Sequence, residues 1–376
     1  MRRVPIRLKL LVALAVPLLA LGVVTVFEVL QASRQADDVR AQTELARATI
    51  GAQPLITALQ RERQWAALDL VGRAEGLGLP ASGYGGTRAA TDDARRAFEA
   101  SLARGPIAVA AAYLPAVARL DALARLRVDV DAAARPGGDD GLRTSMAVSG
   151  RYGMLISSLL DVGSRIALAV DDSELRRGAE LADTAARQGE VLAGMLDDVL
   201  VLGLGSSRGI DRPGEMATVA LDQDAFRANT AVLTRAGGRY RAVARREFPF
   251  ELTDTVNAVV DGALTRHTVA PGRVVAVMRT GPAAGYGAYQ DALASAVAAR
   301  AGELNGAAAG RTRGFLALAA LVLGAAAALT WLVSRSITRP LRSLTQQAKD
   351  MAEHRLPDAV IDILETPLGD DVAVPH

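Results

Sequence analysis

Three consecutive charged residues, Arg61, Glu62 and Arg63, interrupt an apolar segment, LITALQRERQWAALDL (residues 55–70). A guanidinium group presents N–H donors in one plane, so an arginine that faces a helical bundle can bind a small planar anion. A buried ion pair, or an arginine whose charged end reaches solvent, is the more common reason for such residues. The segment therefore leaves two possibilities for Arg63, an anion site or a structural contact.

Helical periodicity separates the three charges. The buried stripe of this helix is predicted from residues that fall within a sector of about 60° at about 100° per residue, namely Leu55, Leu59, Ala66 and Leu70. Glu62 and Arg63 fall within about 20° of this sector, whereas Arg61 points away from it. We therefore predict that Glu62 and Arg63 face the bundle and that Arg61 faces solvent.

Side chains for other kinds of chemistry are scarce. The 376 residues contain no cysteine and three histidines, His267, His354 and His376, none in a His/Glu pair at helical spacing, so we predict no metal site and no cofactor. Asp197 and Asp198 fit a solvated face or a helix cap better than acid–base catalysis, and no phosphate-binding loop or nucleophile elbow occurs. The 43 basic and 41 acidic residues are spread along the chain, which argues against nucleic-acid binding. We predict no catalytic module in this chain.

The elements that position these residues are predicted to be helices. Alanine and leucine dominate and aromatic residues make up 4% of the chain, which favours helix over strand. Gly/Pro-rich breaks at residues 77–86, 135–141 and 205–214 separate helical runs that lack period-two alternation. The sequence predicts an all-α fold of about seven or eight helices packed as a bundle.

Two uncharged segments, residues 10–27 and 314–333, approach the roughly 20 residues that cross about 30 Å of hydrocarbon. The first also has the basic head of a signal peptide, although its apolar run exceeds the roughly 7 to 15 residues usual there. The second has Trp331 near one end, as an interfacial aromatic, but could also be a buried alanine-rich core helix. Two retained membrane helices are the simpler prediction.

Basic residues near the N-terminus orient the predicted spans. Arg2, Arg3, Arg7 and Lys9 place the N-terminus in the cytoplasm by the positive-inside rule, so the C-terminus is expected there too. The predicted domains are a cytoplasmic N-terminus at residues 1–9, a transmembrane helix at 10–30, an extracytoplasmic all-α sensor domain at 31–310, a second transmembrane helix at 314–333 and a cytoplasmic linker at 334–376.

The stretch LQRER, residues 59–63, resembles the nitrate- and nitrite-sensing domain of bacterial sensor proteins, whose Leu-Gln-x-Glu-Arg motif supplies an arginine to the anion site. The resemblance covers residues 45–300 in layout and implies that Arg63 binds nitrate or nitrite. In the family, a second arginine comes from a later helix. When that helix is aligned with residues 185–198, Glu190 occupies the position of the family's second arginine. Arg187, one turn earlier, is the residue that would take the place of this arginine. A carboxylate there would repel an anion and could instead pair with Arg63.

Residues 334–360 carry an a/d heptad pattern, which is typical of a helix that packs against other helices. They resemble the first helix and connector of a HAMP linker, the parallel four-helix module that joins membrane helices to signalling domains. An ordinary juxtamembrane amphipathic helix is the alternative. The linker resemblance is partial, because no second heptad helix follows in this sequence. The predicted linker residues are Pro340, Leu341, Leu344, Ala348 and Met351.

These features predict a receptor in the cell membrane. The layout resembles the input half of an actinobacterial-type sensor histidine kinase, in which an outer bundle binds a small ligand and displaces a helix that enters the membrane. The expected partners are the membrane, a second copy of the chain as a homodimer, and a response regulator reached through a kinase module absent from this chain. The alternatives are a chemoreceptor-type sensor with the same linker, or a stand-alone membrane interaction protein without kinase activity.

Overall fold

The computed structural model describes the backbone at residues 6–75, 82–133, 141–204, 212–266, 269–280 and 282–351. Over these ranges the chain forms helices and no strand, which confirms the predicted all-α class. The twelve helices of the described residues are α1 (Ile6–Gly51), α2 (Gln53–Glu75), α3 (Ser82–Arg104), α4 (Ile107–Arg119), α5 (Ala122–Ala133), α6 (Gly141–Leu168), α7 (Ser173–Leu204), α8 (Arg212–Thr234), α9 (Tyr240–Glu247), α10 (Phe250–Arg266), α11 (Pro271–Thr280) and α12 (Pro282–Asp350).

The chain divides into two compact units, one formed by residues 1–36 and 308–376 and the other by residues 37–307. The described part of the second unit, called the sensor unit here, contains the complete helices α2 to α11, which is more than the seven or eight predicted. Short breaks end helices that the apolar pattern alone would join, for example at Gly238 between α8 and α9. Gly238 has a φ of 57°, a left-handed conformation that glycine adopts without steric cost.

The sensor unit has two hydrophobic cores. Helices α2 to α6 and the end of α1 surround the first core, and α7 to α11 with the start of α12 surround the second. Helix α2 contributes Leu55 and Leu59 to the first core and Leu68 and Val71 to the second. It also packs against both α6 and α7. Polar residues in the middle of α2 therefore lie where the two helical bundles meet.

Glycine permits close helix contacts at two positions. A Cβ atom added to Gly83 of α3 would lie 2.4 Å from the indole ring of Trp65 on α2. A Cβ atom added to Gly178 of α7 would lie 2.2 Å from Tyr240 Oη and 2.4 Å from Val297 Cγ2. Because such distances are far below van der Waals contact, α3 packs directly on the indole and α7 packs directly on α9 and α12.

Gly178→Ala should lower the free energy of unfolding by about 1–3 kcal/mol, because the added methyl group has no free volume in the second core. Gly150 is the matched control: it lies on α6, where an added Cβ atom would have nothing within 4 Å, so Gly150→Ala should be neutral or slightly stabilising. Thermal unfolding of the two purified variants beside the unaltered chain provides the measurement. Equal melting temperatures for the two alanine variants would contradict the close packing at Gly178.

The other unit contains the beginning of α1 and the later part of α12. Large apolar side chains are exposed on both segments, including Phe27, Leu321 and Trp331. Residues 285–332 of α12 are long and apolar enough to cross a membrane, and they include most of the predicted second span. The predicted first span lies in the backbone of α1, but the side chains of residues 10–19 lie outside the described residues.

Ile107–Ala133 also meets the criteria of length and apolarity for a membrane span. The structure divides this stretch into α4 and α5 and buries Tyr113, Leu120 and Leu126 in the first core. Packing inside the sensor unit therefore accounts for the apolar composition of these two helices, which belong to the predicted sensor domain at residues 31–310.

Candidate functional site

The charged triplet of α2 is oriented as its periodicity predicts. Arg61 is exposed, whereas Glu62 and Arg63 expose 0% and 3% of their surfaces. Glu62 faces α5 and α6 in the first bundle, and Arg63 faces α7 of the second bundle. Adjacent positions on one helix therefore place one charge in each of two different environments.

Glu62 is fully paired within the first bundle. Arg127 of α5 donates from Nε to Glu62 Oε1 at 2.7 Å and from Nη2 to Oε2 at 2.9 Å, a two-point contact between planar groups. The hydroxyl of Tyr152 on α6 donates to Glu62 Oε1 at 2.7 Å, and Arg127 Nη1 also donates to Asp92 at 2.8 Å. Glu62 is therefore a structural residue that connects α2 to α5 and α6.

Arg63 is only partly paired. Its Nη1 atom donates to Oε1 of Glu190 on α7, while its Nε and Nη2 atoms are buried and make no hydrogen bond with the described residues. Gln60 donates to Glu190 Oε2 at 3.4 Å, so the carboxylate is held by two residues of α2. Gly153 of α6 lies against this pair, where an added Cβ atom would be 3.4 Å from Glu190 Oε1. The missing side chain at Gly153 lets α6 approach the pair closely.

The unpaired edge of Arg63 is the one best suited to a planar oxyanion. Nε–H and one Nη2–H of a guanidinium point in the same direction and can each donate to one oxygen of the same anion. Arg127 uses these two atoms to bind both oxygens of Glu62. The equivalent edge of Arg63 is free among the described residues, and burial of unsatisfied donors costs about 1–3 kcal/mol or more.

Three carboxyl groups of α7, those of Glu190, Asp197 and Asp198, act electrostatically on Arg63. Burial alone would lower the pKa of Arg63, but the charges of Glu190 and Asp197 outweigh it and raise the pKa, so the guanidinium group is positively charged. Burial raises the pKa of Asp197 to about 6, against the opposing effects of Arg63 and of the hydroxyl of Ser149. Burial and the nearby acidic side chains raise the pKa of Asp198 to about 7. Two carboxyl groups near Arg63 can therefore be protonated close to neutral pH.

Arg187, the other predicted ligand, lies away from Arg63. Its guanidinium group donates to Asp183 at 3.0 Å, to Ser164 at 2.7 Å and to Asp161 at 3.3 Å. Asp161 comes eight residues after Gly153 on α6, a distance of about 12 Å at a rise of about 1.5 Å per residue. The structure thus brings Arg63 together with Glu190, and it gives Arg187 a separate set of acidic partners.

Four of the predicted linker residues lie on the last part of α12, which continues through Pro340, and Met351 directly follows the helix. Pro340, Leu344, Ala348 and Met351 are exposed, while the side chain of Leu341 lies outside the described residues. Residues 352–376, which include the predicted connector, also lie outside them. The packing of this helix in a linker stays a prediction.

Sequence reasoning missed Arg127 and Tyr152 as partners of Glu62. A signal for Arg127 was present, because it lies four residues after Leu123 and three before Val130, on the buried face of α5. The same periodic argument that singles out Glu62 on α2 applies to Arg127 on α5. No local signal identifies Tyr152, whose position depends on how α6 packs against α2.

Two helical bundles that share one buried, half-paired arginine define an all-α module suited to binding a small ligand. Residues 54–270 match the protein family described as nitrate and nitrite sensing. Because this match spans more than half of the sequence, the chain belongs to the nitrate and nitrite sensing family. The family resemblance of residues 59–63 is thereby confirmed.

A solved structure, that of the NasR transcription antiterminator, is similar to this chain with a TM-score of 0.52 and 18% sequence identity. The similarity covers 86% of this chain and 88% of that one. At this level of identity the similarity establishes a shared fold, and function has to be argued from the site itself. The comparison with curated proteins finds no match.

Proposed function

We propose that the sensor unit binds nitrate or nitrite at the Nε–Nη2 edge of Arg63, between the two helical bundles. The observation that carries this proposal is the burial of two unpaired donors on one side of a charged guanidinium group. A planar oxyanion would accept one hydrogen bond from each donor, as the carboxylate of Glu62 does from Arg127. Family membership supports the choice of nitrate or nitrite as this oxyanion.

Glu190 has two effects on such a site. Its carboxylate binds Nη1 and so holds the guanidinium group with the opposite edge free. Its negative charge also repels an incoming anion, and Asp197 does the same when it is ionised. The proposed site therefore binds nitrate less tightly than an arginine without these neighbours would, and it binds more tightly at low pH, where Asp197 and Asp198 become protonated.

We infer further that the chain is a receptor in the cell membrane that transmits ligand binding through α12. A ligand changes the packing of the two bundles only if it binds one arrangement more tightly than another. The exposed apolar side chains near residues 314–333 support a membrane span, and the heptad pattern after it supports a HAMP-type linker. The output in this proposal is a histidine kinase module acting on a response regulator, in a homodimeric receptor.

Nitrate at millimolar concentration should raise the melting temperature of the full chain in detergent, because a ligand that binds only the folded state stabilises it. At a nitrate concentration of about 100 times Kd, the stabilisation is about 2.7 kcal/mol. Arg63→Lys should abolish the shift, since lysine keeps the positive charge but lacks the planar pair of donors. Chloride at equal concentration is the salt control, and Arg61→Lys, on the exposed face of the same helix, is the matched control variant.

Glu190→Gln should change nitrate binding in the opposite direction. Glutamine retains an oxygen that can accept from Arg63 Nη1 but removes the negative charge, so the affinity for nitrate should rise by about tenfold or more. Isothermal titration of nitrate into the unaltered chain and into the Arg63→Lys and Glu190→Gln variants measures these affinities. No nitrate response in either the unaltered chain or the Glu190→Gln variant would rule out the Arg63 site.

A further inference from the structure

A cavity of the sensor unit, of about 800 Å³, lies on the Arg61 side of α2. The end of α1, helices α2 and α3 and the start of α12 form its walls. Arg61 and Arg63 are two positions apart, about 200° around the helix, so this cleft and the Arg63 site are on different faces of α2. Its volume is within the range of roughly 300–1,000 Å³ typical of pockets for organic ligands, and it is far larger than nitrate requires.

The charged residues of this cleft have no partners in the part of the chain that the structure describes. Arg47 of α1 and Arg61 of α2 line the cleft, and neither makes a hydrogen bond or an ion pair with any residue that the structure describes. By contrast, Arg88 and Arg95 on the neighbouring helix α3 are both bound to carboxylates. Asp291 of α12 is the acidic residue of the lining and is likewise unpaired within the described ranges. Two guanidinium groups facing one cleft favour an anionic ligand.

Amide groups add a second requirement on the ligand. Gln53 lines the cleft with only 8% of its surface exposed, and its Oε1 atom is buried without a donor. Gln290 has partners at both ends of its amide. Thr57 donates to its Oε1 atom at 3.3 Å, and its Nε2 atom donates to the carbonyl of Ala185 at 3.3 Å. The exposed carboxylate of Asp291 can accept from the N–H or O–H groups of a ligand. Gln53 Oε1 can do the same once its buried amide turns toward the cleft, and such a ligand would satisfy it.

We propose that this cleft binds an organic carboxylate that also carries a hydrogen-bond donor, as hydroxy acids and amino acids do. Arg47 and Arg61 bind its carboxylate, and Gln53 and Asp291 accept from its hydroxyl or ammonium group. Its hydrocarbon part lies against the small apolar residues of the lining, Pro54, Ala58, Ala90, Ala94 and Ala294.

Such a ligand would join elements that are far apart in sequence. Arg47 is on α1, Arg61 and Gln53 are on α2, and Asp291 is on α12, so one bound molecule holds three helices of the sensor unit together. The receptor would then respond to two compounds, a small oxyanion at Arg63 and an organic acid at this cleft. No residue named for one site belongs to the other, so each site can be altered without changing a named residue of the other.

Matched sets of three compounds test this proposal. L-alanine, L-lactate and propionate share one carbon skeleton and differ in the donor, as do L-phenylalanine, phenyllactate and phenylpropionate. Each is added at millimolar concentration to the full chain in detergent, without nitrate, and the melting temperature is measured. We expect at least one amino or hydroxy acid to raise it, and to do so more than the donor-free acid of the same set.

Variants then locate the site. Arg47→Ala and Arg61→Ala should each weaken binding of the active compound by about tenfold or more, because each removes charge-assisted hydrogen bonds to its carboxylate. Arg125→Ala, at an exposed position of α5 outside the cleft, is the control and should leave the affinity unchanged. Arg63→Lys should also leave it unchanged, which separates this proposal from the nitrate site.

Three results would overturn the proposal. A melting temperature that none of the six compounds raises would exclude the proposed ligand class. Unchanged affinity in both Arg47→Ala and Arg61→Ala would show that the compound binds elsewhere. If in each set the donor-free acid raised the melting temperature as much as the amino acid and the hydroxy acid, the donor in the proposed ligand and the roles of Gln53 and Asp291 would be excluded.

Discussion

Glu62→Ala is expected to lower the free energy of unfolding by about 3–5 kcal/mol, the range found when one partner of a buried ion pair is removed. The substitution would leave the hydroxyl of Tyr152 without its acceptor and Arg127 without its two-point contact. Arg127 retains Asp92, but that carboxylate is half exposed and pairs with one nitrogen only. At about 2–4 °C per kcal/mol, the melting temperature should fall by roughly 10 °C.

The control for this prediction is the preceding residue. Arg61→Ala removes a charge of similar size from an exposed position of the same helix, where a surface substitution changes stability by about 0.5 kcal/mol or less. Thermal unfolding of the two variants in the same detergent compares them directly. Similar melting temperatures for both would mean that Glu62 does not connect α2 to α5 and α6 in solution.

The stability of the folded chain should fall as the pH rises from about 4 to about 8. Asp197 and Asp198 have pKa values raised to about 6 and about 7, so the folded state binds more protons than the unfolded state in this interval. Stability decreases with pH wherever the folded state binds more protons. Since one pKa unit corresponds to about 1.4 kcal/mol, the contribution of Asp197 alone is on the order of 3 kcal/mol.

The surroundings of the two carboxyl groups determine the size of this effect. Asp197 has one oxygen bound by Ser149 at 2.8 Å and the other buried without a donor. Other charged groups whose electrostatic effects reach this part of α7 come from α2, α7 and α8, namely Arg63, Glu190, Glu215 and Asp222. Burial, followed by the charge of Glu190, also raises the pKa of Asp222 on α8, so this residue too lowers stability as the pH rises.

Melting temperatures from pH 4 to pH 8 measure the effect, which should be a decline of roughly 10 °C between pH 5 and pH 8. Asp198→Asn should reduce this slope, whereas Asp93→Asn, at an exposed position of α3, should not. Below about pH 4 the trend reverses, because groups such as Asp131, whose pKa is lowered by hydrogen bonds from Arg88, lose their ion pairs. A melting temperature that rises from pH 5 to pH 8 would contradict the raised pKa values.

Local sequence features predicted the structural properties that a single helix determines. The all-α class, the inward direction of Glu62 and Arg63 and the outward direction of Arg61 follow from composition and a period of 3.6 residues. The short motif at residues 59–63 identified the family, and its later helix indicated that Glu190 could pair with Arg63. These predictions succeeded because each used composition, the periodicity of a single helix or an independent resemblance.

Features that depend on packing between helices could not be predicted in this way. The free Nε–Nη2 edge of Arg63 exists because Glu190 binds only Nη1 and because α6 closes over the pair at Gly153. Arg187 is separated from this pair because it contacts α6 at Asp161 and Ser164, two to three turns after Gly153. The periodicity of a single helix predicts neither the free edge of Arg63 nor the separation of Arg187 from it.

The contact between Trp65 and Gly83 supplies the protein with an optical reporter. The sequence has two tryptophans, and Trp331 belongs to the predicted membrane span, so Trp65 is the single indole of residues 31–310. It lies two residues from Arg63 and contacts α3 at a position without a side chain. Its intrinsic fluorescence in a fragment of these residues would follow any displacement of α2 against α3 without an attached dye.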